Sequence, residues 1–482
     1  MKNLLTLVFI LSLSYGITGC SKTEKDISVP QGYPAEIAES VYQRIDQDSL
    51  VRAYVDMNPE AAFMALYNSY YKEGSTKHHV GIMETSVDPR QTVLTANSET
   101  LYAVHPVNLA DYDGAVVLEV PPMTLGMVNS PGWNIVGDLG LTGADAGKGG
   151  KYLITGPTFS GEIPEGMHHI QSGANTIVWL IRGFVKDNDW KSAVQHLQTT
   201  RTYTLDEMEN PPATTFYNSS ESVVNNNKNM DMSWQPKDTF NLIRQYVKEN
   251  IDTPHAKKHT YIIGHLIDMN FLEGTVNGEA KAVVEGELRV KTVAFNNRNK
   301  AAKKWGGDNQ WEWANNFSDE FYTAKNIKTF LPSQQLAWTH KATFTAAGMT
   351  RPEEGTGSQY IEANKDANGN FLNGRYCYSL NIPANMPAQN FWSVIAYNAT
   401  ERSMIVNKDF NWGANSFHEA LTYNADGSVT LTFGPQSNKG SKNHIQTNQG
   451  EGFFLWFRSY SPEKSWYDNS WVLPNVEMVD CN

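Results

Sequence analysis

The rhythm of apolar and polar positions changes several times along the chain. An apolar run, Leu4–Leu13, follows Lys2 and leads to Ile17-Thr18-Gly19-Cys20. This run is too short to span a bilayer, and the small residues before a cysteine match a bacterial lipoprotein signal, so 1–19 is expected to be cleaved. Residues 20–33 are polar and read as a tether. Across 34–79, Ile37, Val41 and Ile45 recur at helix spacing, and Pro59 opens a second run with Ala62, Met64, Ala65 and Tyr67. From 80 to 205 short apolar segments alternate with turns, predicting strands at Val116–Val120, Tyr152–Ile154 and Thr176–Ile181. Residues 206–355 return to a patchy helical pattern, with Asp238 expected to cap a helix carrying Leu242, Ile243, Tyr246 and Val247. From 356 to 482 the strand pattern resumes at Tyr376–Leu380, Phe391–Tyr397, Val429–Phe433 and Phe453–Tyr460.

These blocks predict a mainly β, multidomain chain: a β domain, a helical insertion and a second β domain. Single strands do not alternate with single helices, which argues against a doubly wound parallel sheet. The 482 residues are 40% hydrophobic and 19% charged, a composition suited to an extracytoplasmic protein with sizeable cores. A formal charge of −12 argues against a nucleic-acid partner and against electrostatic docking on anionic lipid. Membrane attachment is instead expected through lipidation of Cys20, which would place the protein in the cell envelope, on the outer membrane by preference. Cys377 and Cys481 remain; two separate thiols are the default, and a disulfide between them is the alternative.

The densest chemical signal is the glycine-rich run Gly137–Tyr152. It does not fit a phosphate-binding P-loop, because Thr142 and Gly149 occupy required positions. Asp138 and Asp145 there could be acid/base groups, with Lys148 and Lys151 as anion contacts, or all four could organise turns. Asn97-Ser98-Glu99-Thr100-Leu101-Tyr102 places a carboxylate among amide, hydroxyl and phenol groups, suiting either a tuned Glu99 or a hydrogen-bonded plug. The spacing of His255 and His259 would share a helix face, but their flanks predict an exposed helix start. His418 lacks a second ligand at Thr422, and Asp366-x-Asn368-x-Asn370 reads as a turn. No cofactor and no metal site is identified.

Thr95–Tyr102, Gly137–Leu153 and Gly156-Pro157 resemble the domain of unknown function numbered 1254. Its usual partner, the domain of unknown function numbered 1214, resembles the C-terminal stretch. The matching pieces there include Gly357-Ser358-Gln359-Tyr360, Phe391-Trp392-Ser393, Tyr397 with Arg402, Asn443 with Gln446, and Arg458 with Tyr460. The family often has aspartate in place of Glu99 and tryptophan in place of His444. The resemblance implies two β-sandwich or jelly-roll-like domains joined by the helical region, and no settled reaction.

Two functions are expected to compete. The first is an enzyme at an interdomain cleft, hydrolysing or otherwise transforming a small polar or carbohydrate-like molecule. Glu99, Asp138 and Asp145 would be its carboxylates, Lys148 and Arg402 its anion binders, and Asn443 and Gln446 its orienting amides. Asn97, Tyr102, Lys151, Trp392, Tyr397 and Arg458 complete the expected ligand set. The second is a non-catalytic module that binds sugar or an envelope partner on exposed tryptophans such as Trp392, Trp412, Trp466 and Trp471. A purely structural envelope protein is a third, blander reading.

Overall fold

The computed structural model describes residues 35–481 except 187, 221–232, 300–302, 315–322, 325–326, 329, 351–352 and 417–420. Cys20, the tether and His418 lie outside the described residues. Two compact units are distinguishable, Met1–Ile45 and Asp46–Asn482, and everything below concerns the second.

Each expected strand forms, most of them longer than the apolar run that announces them. In the first β domain six strands line up in the order Thr215–Asn218, His79–Ile82, Thr100–Asn108, Thr176–Phe184, Leu125–Ser130 and Asn134–Gly140. A four-stranded sheet, His168–Gln171, Gly150–Thr155, Ala115–Val120 and Arg201–Tyr203, closes it into a sandwich. Leu101, Ala103, Ile177, Trp179 and Ile181 meet Val116, Leu118, Tyr152 and Ile154 in its core. The second β domain repeats the plan. Trp311–Trp313, Ser358–Ala363, Phe453–Tyr460, Trp392–Asn398 and Gly413–Asn415 form five strands. They cover His444–Gln446, Val429–Gly434, Cys377–Ile382 and Glu477–Val479. Cys377 and Cys481 are joined as a disulfide, which corrects the expectation of separate thiols and ties the last strand to its neighbour.

Period-two alternation explains how the two sandwiches meet. On Phe453–Tyr460, Phe453, Leu455 and Phe457 fill the second sandwich, whereas Phe454 and Trp456 point to its other side. On Thr176–Phe184, Val178 and Leu180 likewise face away from the first sandwich. These outward faces join helical residues such as Phe63, Tyr246, Leu266 and Trp338 in a third, shared core. The helix Asn58–Glu73 starts with Pro59 in its first turn and stops at Gly74, whose φ of 127° suits glycine. Asp238 precedes the helix Thr239–Asn250 as expected, yet its side chain forms no capping hydrogen bond.

The shared core contains charge. Glu362 is fully buried and bridges Lys341 Nζ at 3.1 Å and Arg402 Nη2 at 2.8 Å. Arg402 also lies flat against Phe454, 3.9 Å from its ring centre. Burial disfavours the Arg402 charge and lowers its pKa, while Glu362 pulls the other way. Removing one member of such a buried set strands the others without compensation. Glu362→Gln should therefore lower unfolding free energy by about 3–5 kcal/mol in urea titration; a loss under about 1 kcal/mol would contradict this role.

Candidate functional site

One short strap, Thr95–Asn97, leads from the first sandwich and is sewn onto the second. Thr95 N–H donates to the Arg402 carbonyl at 2.8 Å, and its hydroxyl donates to the Lys341 carbonyl at 2.7 Å. Arg458 Nη2 donates to the Thr95 carbonyl at 2.9 Å, and the Tyr397 hydroxyl donates to the Ala96 carbonyl. Asn97 Nδ2 donates to the Tyr460 hydroxyl at 2.9 Å. These bonds fix the separation of the two large sheets at this point, and a cavity of about 90 Å³ opens beside the strap.

Tyr102, Arg182, Met349, Tyr360, Trp456 and Arg458 line that cavity together with the strap itself. Arg182 and Arg458 are 7% and 4% exposed. Both continue the outward face of their strands, following Val178 and Leu180 in one and Phe454 and Trp456 in the other. Arg182 Nε and Arg458 Nη1 are buried donors with no hydrogen-bond partner among the described residues. An unmatched buried donor of this kind is expensive, and two charged ones on one cavity call for an acceptor. Burial disfavours both guanidinium charges. The Glu99 carboxylate offsets this at Arg458, and a hydrogen bond to the Tyr360 hydroxyl does so at Arg182. The net shift of each is upward, so both remain cationic. Burial raises the Tyr397 and Tyr460 phenols, so these rings stay neutral donors.

An open groove of about 640 Å³ lies on the other side of Tyr460 and Glu99. Glu99 is buried, accepts from the Ser98 hydroxyl at 2.9 Å, and its N–H donates to Asn97 Oδ1 at 3.0 Å. Its charge acts on both Tyr460 and Arg458. Of the expected ligand set, Asn97, Tyr102 and Arg458 thus share one hollow, with Glu99 and Tyr397 adjoining it.

The structure places the remaining expected residues away from this cavity. Asp138 does not enter the cavity: its carboxylate accepts from the N–H groups of Ala347 at 2.8 Å and Gly348 at 3.0 Å, fixing the turn that carries Met349. Asp145 is buried inside its own loop, accepting from Gly140 N–H at 2.8 Å, Gly149 N–H at 3.0 Å and the Tyr152 hydroxyl. Lys148 is exposed, and Lys151 pairs with Glu119 at 3.2 Å on the surface. Arg402 is consumed by Glu362. Trp392 stacks on Phe457 within the second sandwich, where Trp466 and Trp471 are also buried, so no tryptophan platform forms from these three. Asn443 holds Thr422 and Thr430, and Gln446 caps Lys408 and Asp409, all by backbone hydrogen bonds. His255 and His259 are buried rather than exposed, and Glu60 meets Lys258 at 2.6 Å and His259 at 3.2 Å. Asp366 forms the expected turn, accepting from Asn368 and Asn370 N–H at 2.9 Å each. Among the described residues no cluster of three or more His, Cys, Asp or Glu is arranged to hold a metal.

Arg182 and Tyr460 escaped the sequence reading as ligand groups. The available signal was an arginine set within an otherwise apolar strand at the parity of its outward face.

Residues 78–204 match the family described as protein of unknown function (DUF1254), and residues 357–464 match protein of unknown function (DUF1214). Together the two matches cover just under half of the chain. The DUF1254 match covers the strap and most of the first sandwich, and the DUF1214 match covers Arg402, Arg458 and Tyr460. A crystal structure of the VPA0106 protein from Vibrio parahaemolyticus is similar at a TM-score of 0.53 and 13% identity, covering 90% of this chain and all of that one. An uncharacterised protein from Burkholderia cenocepacia is similar at a TM-score of 0.43 and 12% identity, covering 92% of this chain and 95% of that one. The first similarity is one of fold. No curated protein matches the sequence.

The geometry makes Asp145 a loop organiser rather than a reacting group. Asp145→Ala should destabilise the protein by about 2–4 kcal/mol in thermal or urea unfolding, in line with several lost charge-assisted hydrogen bonds. Unchanged stability would contradict that assignment.

Proposed function

We propose that the protein is a cell-envelope lipoprotein that binds the anionic end of a small organic molecule in the cavity between its two sandwiches. The observation that carries this reading is that two buried guanidinium groups, Arg182 and Arg458, line one cavity from opposite sheets, each with an unmatched nitrogen. Guanidinium groups suit carboxylate and phosphate oxygens, and the low-dielectric setting strengthens the contact. Tyr102, Tyr360 and Trp456 supply apolar faces for the ligand's body. A small cavity with few convergent polar groups has the general character of a ligand site.

Titration calorimetry or NMR with butanoate, butyl phosphate and butanol tests this reading. The two anions should bind and butanol should not, and Arg458→Met should weaken the anions at least tenfold. Equal binding of butanol, or anion binding indifferent to Arg458→Met, would overturn it. Because both arginines stay charged, butanoate affinity should be flat from pH 6 to 9. It should fall only as the ligand's own carboxylate protonates near pH ~4–5.

An acid/base reaction remains the second reading, and Glu99 alone among the three expected carboxylates supports it, because its charge acts on Tyr460 and Arg458 beside the cavity. The envelope location draws support from the Cys377–Cys481 disulfide, a bond at home in oxidising compartments. No helix among the described residues is long and apolar enough to cross a membrane. Cys20→Ser should shift the protein from the membrane to the soluble fraction; retention at the membrane would contradict lipid anchoring through that residue.

A further inference from the structure

The groove outside Tyr460 has a composition unlike that of the cavity behind it. Met123, Leu141 and Phe184 line it while 65%, 42% and 37% exposed, and Leu125, Val185 and Phe391 form its floor and wall. Large exposed apolar side chains gathered in one concavity mark a binding surface rather than random scatter. The glycine-rich loop builds this surface. Gly140 and Gly147 adopt φ of 71° and 74°, and a Cβ on Gly147 would meet Leu141 Cδ2 at 2.7 Å. Leu141 N–H donates to the Thr124 carbonyl at 2.8 Å, which sets its side chain at the rim. Met123 is held at a φ of 55° with its N–H on the Gly147 carbonyl at 2.8 Å. Positive φ is costly for a methionine, so the fold accepts strain to present a flexible, apolar side chain here.

Cavity and groove share one partition. Asn97 lines the cavity, Tyr460 and Thr100 line the groove, and Asn97 Nδ2 bonds both hydroxyls, at 2.9 and 3.2 Å. The Tyr460 ring stacks on Phe391, its centre 3.9 Å away. The cavity is too small for more than a headgroup and a few carbons, so anything longer must continue elsewhere, and the groove beyond this thin wall is the adjoining apolar space.

We propose that cavity and groove form one site for an amphiphilic carboxylate with an unbranched alkyl chain. The carboxylate rests on Arg182 and Arg458, and the chain passes Tyr460, whose ring turns aside with loss of its bond to Asn97, to lie along Met123, Leu141 and Phe184. This rests on the anion reading above and adds the chemical class of the ligand.

Affinities of butanoate and of decanoate, kept below its micelle concentration, test the proposal on the full-length protein. Butanoate is confined to the headgroup cavity and reports on the arginines alone. Burial of each further methylene is worth up to about fourfold in affinity, so wild-type protein should prefer decanoate at least a hundredfold. In Met123→Ser/Leu141→Ser that preference should shrink at least tenfold; both positions are exposed, so the fold is expected to tolerate the changes, and a matching thermal midpoint verifies this. Equal affinity for the two acids, or a preference that the double variant leaves unchanged, overturns the alkyl-chain proposal while the anion reading stands. Binding of both acids that survives Arg458→Met would overturn the anion reading itself.

Discussion

The strap Thr95–Asn97 is the constraint on which the rest of the structure depends. Five groups of the helical insertion and second domain, Lys341, Tyr397, Arg402, Arg458 and Tyr460, grip three consecutive residues belonging to the first. Two sandwiches that would each be complete without the other are thereby fixed at one distance. That distance leaves one small cavity within an otherwise packed shared core. Glu362 secures the grip from beneath by pairing with both Lys341 and Arg402 in a buried setting.

Arginine plays two different parts in this shared layer. Arg402 bonds the Glu362 carboxylate through Nη2, lies over the Phe454 ring and does not line the cavity, and serves as structure. Arg458 spends one nitrogen on the strap and turns another, unmatched, towards the cavity. Arg182 lines the same cavity from the opposite sheet, over the Tyr102 ring and with Nε unmatched. Sequence comparison alone would treat Arg402 and Arg458 as equivalent members of a ligand set. What separates them is place: Arg458 lines the cavity and Arg402 does not.

Several strands were legible because apolar alternation and turn residues are local signals, whereas their order in the sheets was not. The strand Phe453–Tyr460 even announces its burial on both faces through a nearly unbroken apolar run. The run Asn134–Gly140 was not legible as a strand: its glycines and Asp138 mimic a ligand loop, whereas they serve a β-hairpin edge and cap a distant turn. Asp138 and Asp145 misled for the same physical reason, since a carboxylate that accepts backbone N–H groups has the same sequence appearance as one that moves protons. A cavity does lie between the sandwiches, and three residues of the expected ligand set, Asn97, Tyr102 and Arg458, line it. Arg182 and Tyr460 became visible only when register aligned their strands, because nothing local distinguishes an inward arginine from an outward one.

The most direct test of this account is a crystal structure of the protein soaked with 10-bromodecanoate. Carboxylate oxygens should lie within hydrogen-bond distance of Arg182 Nε and Arg458 Nη1, with the anomalous bromine signal in the groove beside Leu141. A ligand bound elsewhere, or one whose carboxylate avoids both guanidinium groups while its chain fills the groove, would contradict it.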